Sequence, residues 1–127
     1  MTNFNENNSD FYDLEYYISL EYRYFSGAHD SKIKNIFKHL DKLELNNKNI
    51  LDVGCGGGFL TNKILELGSN VIGCDYSKSA IKFSRERYPK LKVIRSSAYE
   101  IDKLELNNID LITSFDVIEH LKFPDIF

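Results

Sequence analysis

Cysteine is scarce in this chain, with two residues, Cys55 and Cys74, among 127. Two thiols cannot supply a disulfide scaffold, and no group of His and Cys has the spacing of a zinc site. Both fall near the ends of short apolar segments, so they are expected to act as small buried hydrophobes, unpaired in a reducing compartment. An excess of basic charge is also missing. Sixteen Lys and Arg against 19 Asp and Glu leave a net charge of -3 and a pI near 5.6. That balance argues against nucleic acid or an anionic membrane surface as the main partner. No apolar run approaches the ~20 residues that span a bilayer. The opening Met1-Thr2-Asn3-Phe4-Asn5-Glu6 lacks the basic-then-apolar order of a secretion signal, so a cytoplasmic location is expected. What is present is ordinary for a soluble domain with one packed core: 43% hydrophobic and 28% charged residues.

The pattern changes twice along the chain. Residues 1–9 are Asn-rich and read as a disordered tail. Residues 10–47 read as two amphipathic helices. Phe11, Leu14, Ile18, Tyr22 and Phe25 form one stripe, ended by Gly27. Ile33, Ile36, Phe37 and Leu40 form a second, capped at Asp30 or Ser31. From residue 48 short apolar strands alternate with helical stretches. Strands are expected at Ile50–Val53, Val71–Cys74, Leu91–Ile94 and Ile109–Thr113. Helices are expected at Phe59–Leu67, with Gly68 as C-cap, and from the N-cap Ser77 to Tyr88, stopped by Pro89. Strand-helix alternation implies right-handed crossovers, hence an α/β, Rossmann-like parallel sheet with helices on both faces. The expected strand order is 3-2-1-4, which puts a ligand crevice at the switch between strands one and four.

The first turn of this unit carries the chemistry. Ile50-Leu51-Asp52-Val53-Gly54-Cys55-Gly56-Gly57-Gly58 ends a strand in a Gly-rich loop that opens a helix. Such a loop lets a ligand approach the backbone, because no Cβ intervenes, and the helix start offers its N–H groups. Dinucleotide enzymes use G-x-G-x-x-G/A, which would need Gly or Ala at position 59; here 59 is Phe, and the glycines fall at 54, 56 and 58. A nicotinamide-dependent oxidoreductase or epimerase is therefore disfavoured. Asp75 ends the second strand, where a carboxylate can accept charge-assisted bonds from both ribose hydroxyls. The alternative for Asp75 is an acid stabilised by the dipole of the helix beginning at Ser77.

Three stretches in order resemble the motifs of class I S-adenosylmethionine-dependent methyltransferases. They are Ile50 to Gly58, Val71-Ile72-Gly73-Cys74-Asp75, and Asp110 to Leu121. The Ile118-Glu119-His120-Leu121 ending and Gly56-Gly57-Gly58 are most similar to the ubiquinone-biosynthesis O-methyltransferase-like branch. The resemblance runs from about Lys48 to Pro124 and implies that residues 48–127 form the N-terminal part of an S-adenosyl-L-methionine-binding domain. It implies cofactor contacts at Asp52, Gly54, Cys55, Gly56, Asp75 and Tyr76, with the Phe115 carbonyl holding the methionine amino group. Ser97 falls where the family has an Asp that receives the adenine amino group, with the Ala98 N–H as a substitute. Lys32 aligns loosely with a basic residue placed on the methionine carboxylate in some relatives; its alternative is a solvated helix position.

The reaction so implied moves a methyl group from the cofactor to a small-molecule hydroxyl or amine. His120 is the candidate base, histidine being the side chain best suited to proton transfer near neutrality; otherwise Glu119 and His120 stabilise a helix after strand four. Asp116-x-x-Glu119-His120 also resembles the metal-assisted E-x-x-E-H of some quinone O-methyltransferases, so these three are an alternative metal site where none is otherwise expected. His29 and His39 are expected to be solvated. A full class I sheet has seven strands, so strands five to seven are expected to be missing. A C-terminal half or a partner chain would cover strand four, and the 127 residues alone should be marginally stable and inactive. The rival from another class is a non-catalytic adenosyl-binding or interaction subunit.

Overall fold

A computed structural model describes residues 30–127 together with Glu15, Tyr16 and Ser19, which are helical. The tail at 1–9, the stripe from Phe11 to Phe25 and the stop at Gly27 lie outside the described residues. Helix α1 (Asp30–Asp41) leads through a turn to strand β1 (Asn49–Val53), helix α2 (Phe59–Glu66), strand β2 (Asn70–Asp75), helix α3 (Lys78–Arg87) and strand β3 (Lys92–Arg95). A 3₁₀ helix at Ala98–Lys103 precedes strand β4 (Leu111–Thr113), and 3₁₀ turns follow at Ile118–His120 and Pro124–Ile126. The sheet has the order β3-β2-β1-β4 with every pair parallel, as the crossover rule required.

Alternation along β1 sends Ile50 and Leu51 to opposite faces. On one face Ile50, Val71 and Val93 pack with Leu40 of α1, Ile64 of α2 and Ile81 of α3. On the other, Leu51, Val53 and Cys74 are covered by Ala98 and Ile101 of the 3₁₀ helix and by Leu104, Leu106 and Ile109. Both thiols are free. Cys74 lies on the second face, whereas Cys55 packs on the first and fills the space beside Gly73. The two sulfurs point to opposite sides of the sheet and cannot pair. Burial pushes the Cys74 thiol up to about 11 and the Cys55 thiol well above its ordinary value, so both are inert fillers.

Every strand differs from its expected bounds by one or two residues, and the later starts of β3 and β4 have a visible cause. β3 runs from Lys92, because the Leu91 N–H is taken by the Tyr88 carbonyl in the turn that Pro89 enforces, at 2.9 Å. β4 is shorter than Ile109–Thr113. Asn108 takes a left-handed φ of 58°, and the Asn49 N–H donates to the Asp110 carboxylate at 2.8 Å, where a side chain replaces a ladder acceptor. Ile112, on the side of β1 away from β2, is 52% exposed. The chain after β4 forms 3₁₀ turns rather than an α-helix.

Helix α3 starts where Ser77 accepts the Ala80 N–H on its hydroxyl at 3.2 Å. Because Ser77 is buried, its removal leaves that N–H without its capping acceptor. Ser77→Ala is expected to lower stability by about 1 kcal/mol, read as a shift in the urea midpoint with an unchanged slope.

Candidate cofactor-binding site

The site forms at the C-terminal ends of β1, β2 and β4. The loop after β1 is pinned to β2 by two donors on one acceptor: the N–H groups of Gly54 and Cys55 reach the Cys74 carbonyl at 2.8 and 2.9 Å. Two glycines are needed on physical grounds. Gly54 has φ 74°, and a Cβ there would lie 2.3 Å from Val117 Cγ2. Gly56 has φ 54°, and this left-handed turn aims its N–H at Asp75.

Asp75 is held from two directions. Its Oδ2 accepts the Gly56 N–H and its Oδ1 accepts the Ser77 N–H, each at 2.9 Å. Burial raises its pKa, while hydrogen bonds from the Ser77, Gly56 and Tyr76 backbone partly offset the rise. Each oxygen keeps lone-pair capacity for a further donor. The start of α3 and the glycine loop thus fix one carboxylate at the rim of the crevice. The two readings of Asp75 from sequence are not exclusive: it does bind the first N–H groups around the α3 cap, and it also faces the glycine loop.

Asp52, expected at the cofactor, sits behind the loop instead. It is 2% exposed. Its Oδ2 accepts the Thr61 hydroxyl at 2.6 Å and its Oδ1 accepts the Thr113 hydroxyl at 2.8 Å. Desolvation raises its pKa from 3.8 to about 6, against the lowering effect of the two hydroxyls, with the Asp75 charge adding slightly to the rise. Among the described residues, every buried side-chain nitrogen and oxygen has a partner.

The other sequence candidates are distributed as follows. Tyr76 is half-exposed beside Asp75, and its carbonyl accepts from Arg95 Nε at 3.0 Å. Ser97 uses its hydroxyl as the cap of the 3₁₀ helix, accepting the Tyr99 N–H at 3.2 Å, and Ala98 packs on the Leu51–Val53–Cys74 face. Phe115 packs against the α-helical core face, next to Ser114, whose hydroxyl donates to the Val53 carbonyl at 3.2 Å. Lys32 is not merely solvated: its ammonium meets both Asp116 oxygens at 2.5 Å, joining α1 to the loop after β4. Asp116 has a left-handed φ of 56° and lies outside any helix, while Glu119 and His120 are exposed on the 3₁₀ turn. Among the described residues, no three His, Cys, Asp or Glu side chains are gathered as a metal site needs, so Asp116, Glu119 and His120 are not brought together. The sequence reading missed Thr61, Thr113 and Val117. Their signal was weak, since two threonines on separate elements and one valine are common residues whose partners are distant in sequence.

A parallel 3-2-1-4 sheet with a Gly-rich first turn and an acid closing the second strand defines the Rossmann-like α/β class. The chain belongs to the family described as "Methyltransferase domain", which matches residues 51–127. The ubiquinone biosynthesis O-methyltransferase of Nitrosococcus oceani is 30% identical over 104 residues, covering 79% of this chain and 44% of that protein. An S-adenosylmethionine-dependent methyltransferase structure from Archaeoglobus fulgidus superposes with a TM-score of 0.60 at 26% identity, covering 80% of this chain and 46% of that one. The magnesium protoporphyrin IX methyltransferase of Synechocystis, solved with bound S-adenosylmethionine, shares the fold at a TM-score of 0.63 and 18% identity, covering 77% of this chain and 49% of that one. The chain thus spans about half the length of these relatives. The expected resemblance, fold class and strand order all stand.

Proposed function

We propose that this chain carries the S-adenosyl-L-methionine-binding part of a methyltransferase that acts on a small-molecule hydroxyl or amine. The observation that carries the reading is the Asp75 carboxylate, held between the Gly56 and Ser77 N–H groups at the strand switch point. Its remaining lone pairs suit two ribose hydroxyls, and the left-handed Gly56, whose N–H reaches Asp75, brings the glycine loop beside that carboxylate. The residues present therefore fit the cofactor. Tyr76 lies along the adenine side, with Ser97 and the Ala98 N–H at the adenine edge. The Phe115 carbonyl and the Lys32–Asp116 pair stand toward the amino-acid end. When bound, the cofactor supplies a methyl group already activated on a sulfonium. The protein contributes orientation and water exclusion, and His120 takes the proton from the acceptor hydroxyl. The relatives named for ubiquinone biosynthesis O-methylation support oxygen as the acceptor atom.

Calorimetric titration tests the cofactor assignment directly. S-adenosylhomocysteine and S-adenosylmethionine are expected to bind and NAD not to bind; preference for NAD would overturn the reading. Among the described residues no helix is long and apolar enough to cross a membrane. For the chemistry, transfer of labelled methyl to a panel of phenols, catechols and amines is measured on a fusion of this chain with the remaining part of a relative it matches. His120→Gln is expected to slow phenol methylation by about 10²-fold at neutral pH, within the usual range for a general base. A rate unchanged by His120→Gln removes that residue from the mechanism.

A further inference from the structure

The buried cluster behind the glycine loop has no place in the cofactor reading just given, yet both oxygens of its carboxylate are engaged. Asp52 is the penultimate residue of β1, and its carboxylate joins three elements. Thr61 comes from the first turn of α2, whose N-terminus is the end of the glycine loop. Thr113 is the last residue of β4, immediately before Ser114 and Phe115. Asp52 and Thr113 are also register partners on β1 and β4, so the bond crosses the strand switch point itself. The titratable group that acts on Asp52 is Asp75 at the end of β2, while Asp52 itself acts on the thiols of Cys74 and Cys55. Both thiols are neutral, which leaves Asp75 as the charged neighbour.

We propose that Asp52 is a positioning residue which, through Thr61 and Thr113, clamps the start of α2 and the end of β4 around the glycine loop and so sets the affinity for an adenosyl ligand without touching it. The idea rests on the cofactor reading above and goes beyond it by naming what holds the site open. An ionised carboxylate accepts from both hydroxyls, and such charge-assisted bonds are about twice as strong as neutral ones. A protonated carboxyl must use one oxygen as a donor, so at least one threonine loses its charged acceptor and the clamp slackens. With the Asp52 pKa at about 6, this change falls just below neutrality.

The sign for folding is opposite to that for binding. The folded pKa lies above the ordinary 3.8, so the Asp52 contribution to stability is full at low pH and is lost as pH rises through about 6. Acidification from 7.5 to 5.5 therefore favours the fold at this position while weakening the clamp. A purely structural role for Asp52 does not produce that divergence.

The test is calorimetric titration with S-adenosylhomocysteine between pH 5 and 8. It uses the unsubstituted chain and the variants Thr61→Val, Thr61→Ser, Thr113→Val and Asp52→Asn, with thermal melts alongside. Thr61→Val and Thr113→Val are each expected to weaken binding about tenfold at pH 7.5, the effect of one hydrogen bond to a charged group. They should also move the acid limb of the affinity profile to higher pH, because the carboxylate loses a stabilising donor. Thr61→Ser keeps the hydroxyl and should bind within about twofold of the unsubstituted chain. Asp52→Asn can still donate and accept, so it should fold, with a flatter melting temperature between pH 5 and 7 and a weaker ligand affinity at pH 7.5. Variants at Thr61 and Thr113 that melt lower but bind normally, with an unmoved pH profile, would overturn the positioning role. No binding by the unsubstituted chain at any pH would instead overturn the cofactor reading itself.

Discussion

Asp75→Ala is expected to weaken S-adenosylhomocysteine binding by about 100-fold or more. Two hydrogen bonds from ribose hydroxyls to a carboxylate are worth roughly 1.5–3 kcal/mol each, and every 1.4 kcal/mol is about tenfold in affinity. The geometry also explains why a conservative replacement fails. Both Asp75 oxygens already accept backbone donors, from Gly56 and Ser77. In Asp75→Asn the amide nitrogen must face one of those N–H groups, donor against donor, so the side chain turns and presents the wrong group to the ribose. The loss is separable from unfolding. Burial already disfavours the charged form of Asp75, so removing the charge also removes a desolvation penalty. The linkage sign agrees: its raised pKa favours the fold below the ordinary carboxylate range, and that advantage is lost as pH rises through the folded value. Affinity is measured by calorimetry, with melts of each variant as the control. Binding by Asp75→Ala within threefold of the unsubstituted chain would remove the ribose contact.

The largest effect on folding is expected at Gly54. Gly54→Ala is expected to destabilise the chain by about 3 kcal/mol, from a left-handed backbone that costs roughly 1–2 kcal/mol for an L-residue and an overpacking cost of 1–3 kcal/mol. The overlap is specific, since the added Cβ would stand 2.3 Å from Val117 Cγ2 at φ 74°. A domain of this size should then melt about 10 °C lower. The double variant Gly54→Ala/Val117→Ala separates the two causes. It should recover the part due to overlap and keep the part due to backbone strain, a coupling visible in a double-mutant cycle. Additive effects of the two substitutions would show that Val117 does not press on the loop. The contact matters for function as well, because it seats the chain after β4, with Phe115 and Asp116, against the glycine turn.

Much of this was legible in the residues. The alternation of short apolar runs with helical stripes specified a parallel α/β sheet, because crossover handedness leaves few alternatives. The glycines at 54, 56 and 58 marked the loop, and Phe59 turned the reading away from dinucleotides, since backbone conformation and close approach are local properties of glycine. Asp75 was recognisable from its place at a strand end. Where strands begin was less clear. The turn enforced by Pro89 and the left-handed Asn108 each moved a boundary, and both act through specific hydrogen bonds that periodicity does not record.

The residues by themselves thus determined the order of the elements, the strand order and the glycine loop, all of which follow from short-range pattern and chain connectivity. Only the tertiary structure decided what surrounds that loop. Asp52 was read as a ligand contact, but its partners Thr61 and Thr113, 9 and 61 residues away, tie it into a buried hydrogen-bond network. Lys32 and Asp116 are 84 residues apart, and their pairing depends on how α1 lies against the end of β4. Contacts of that separation arise from the packing of finished elements, and no periodicity along the chain encodes them.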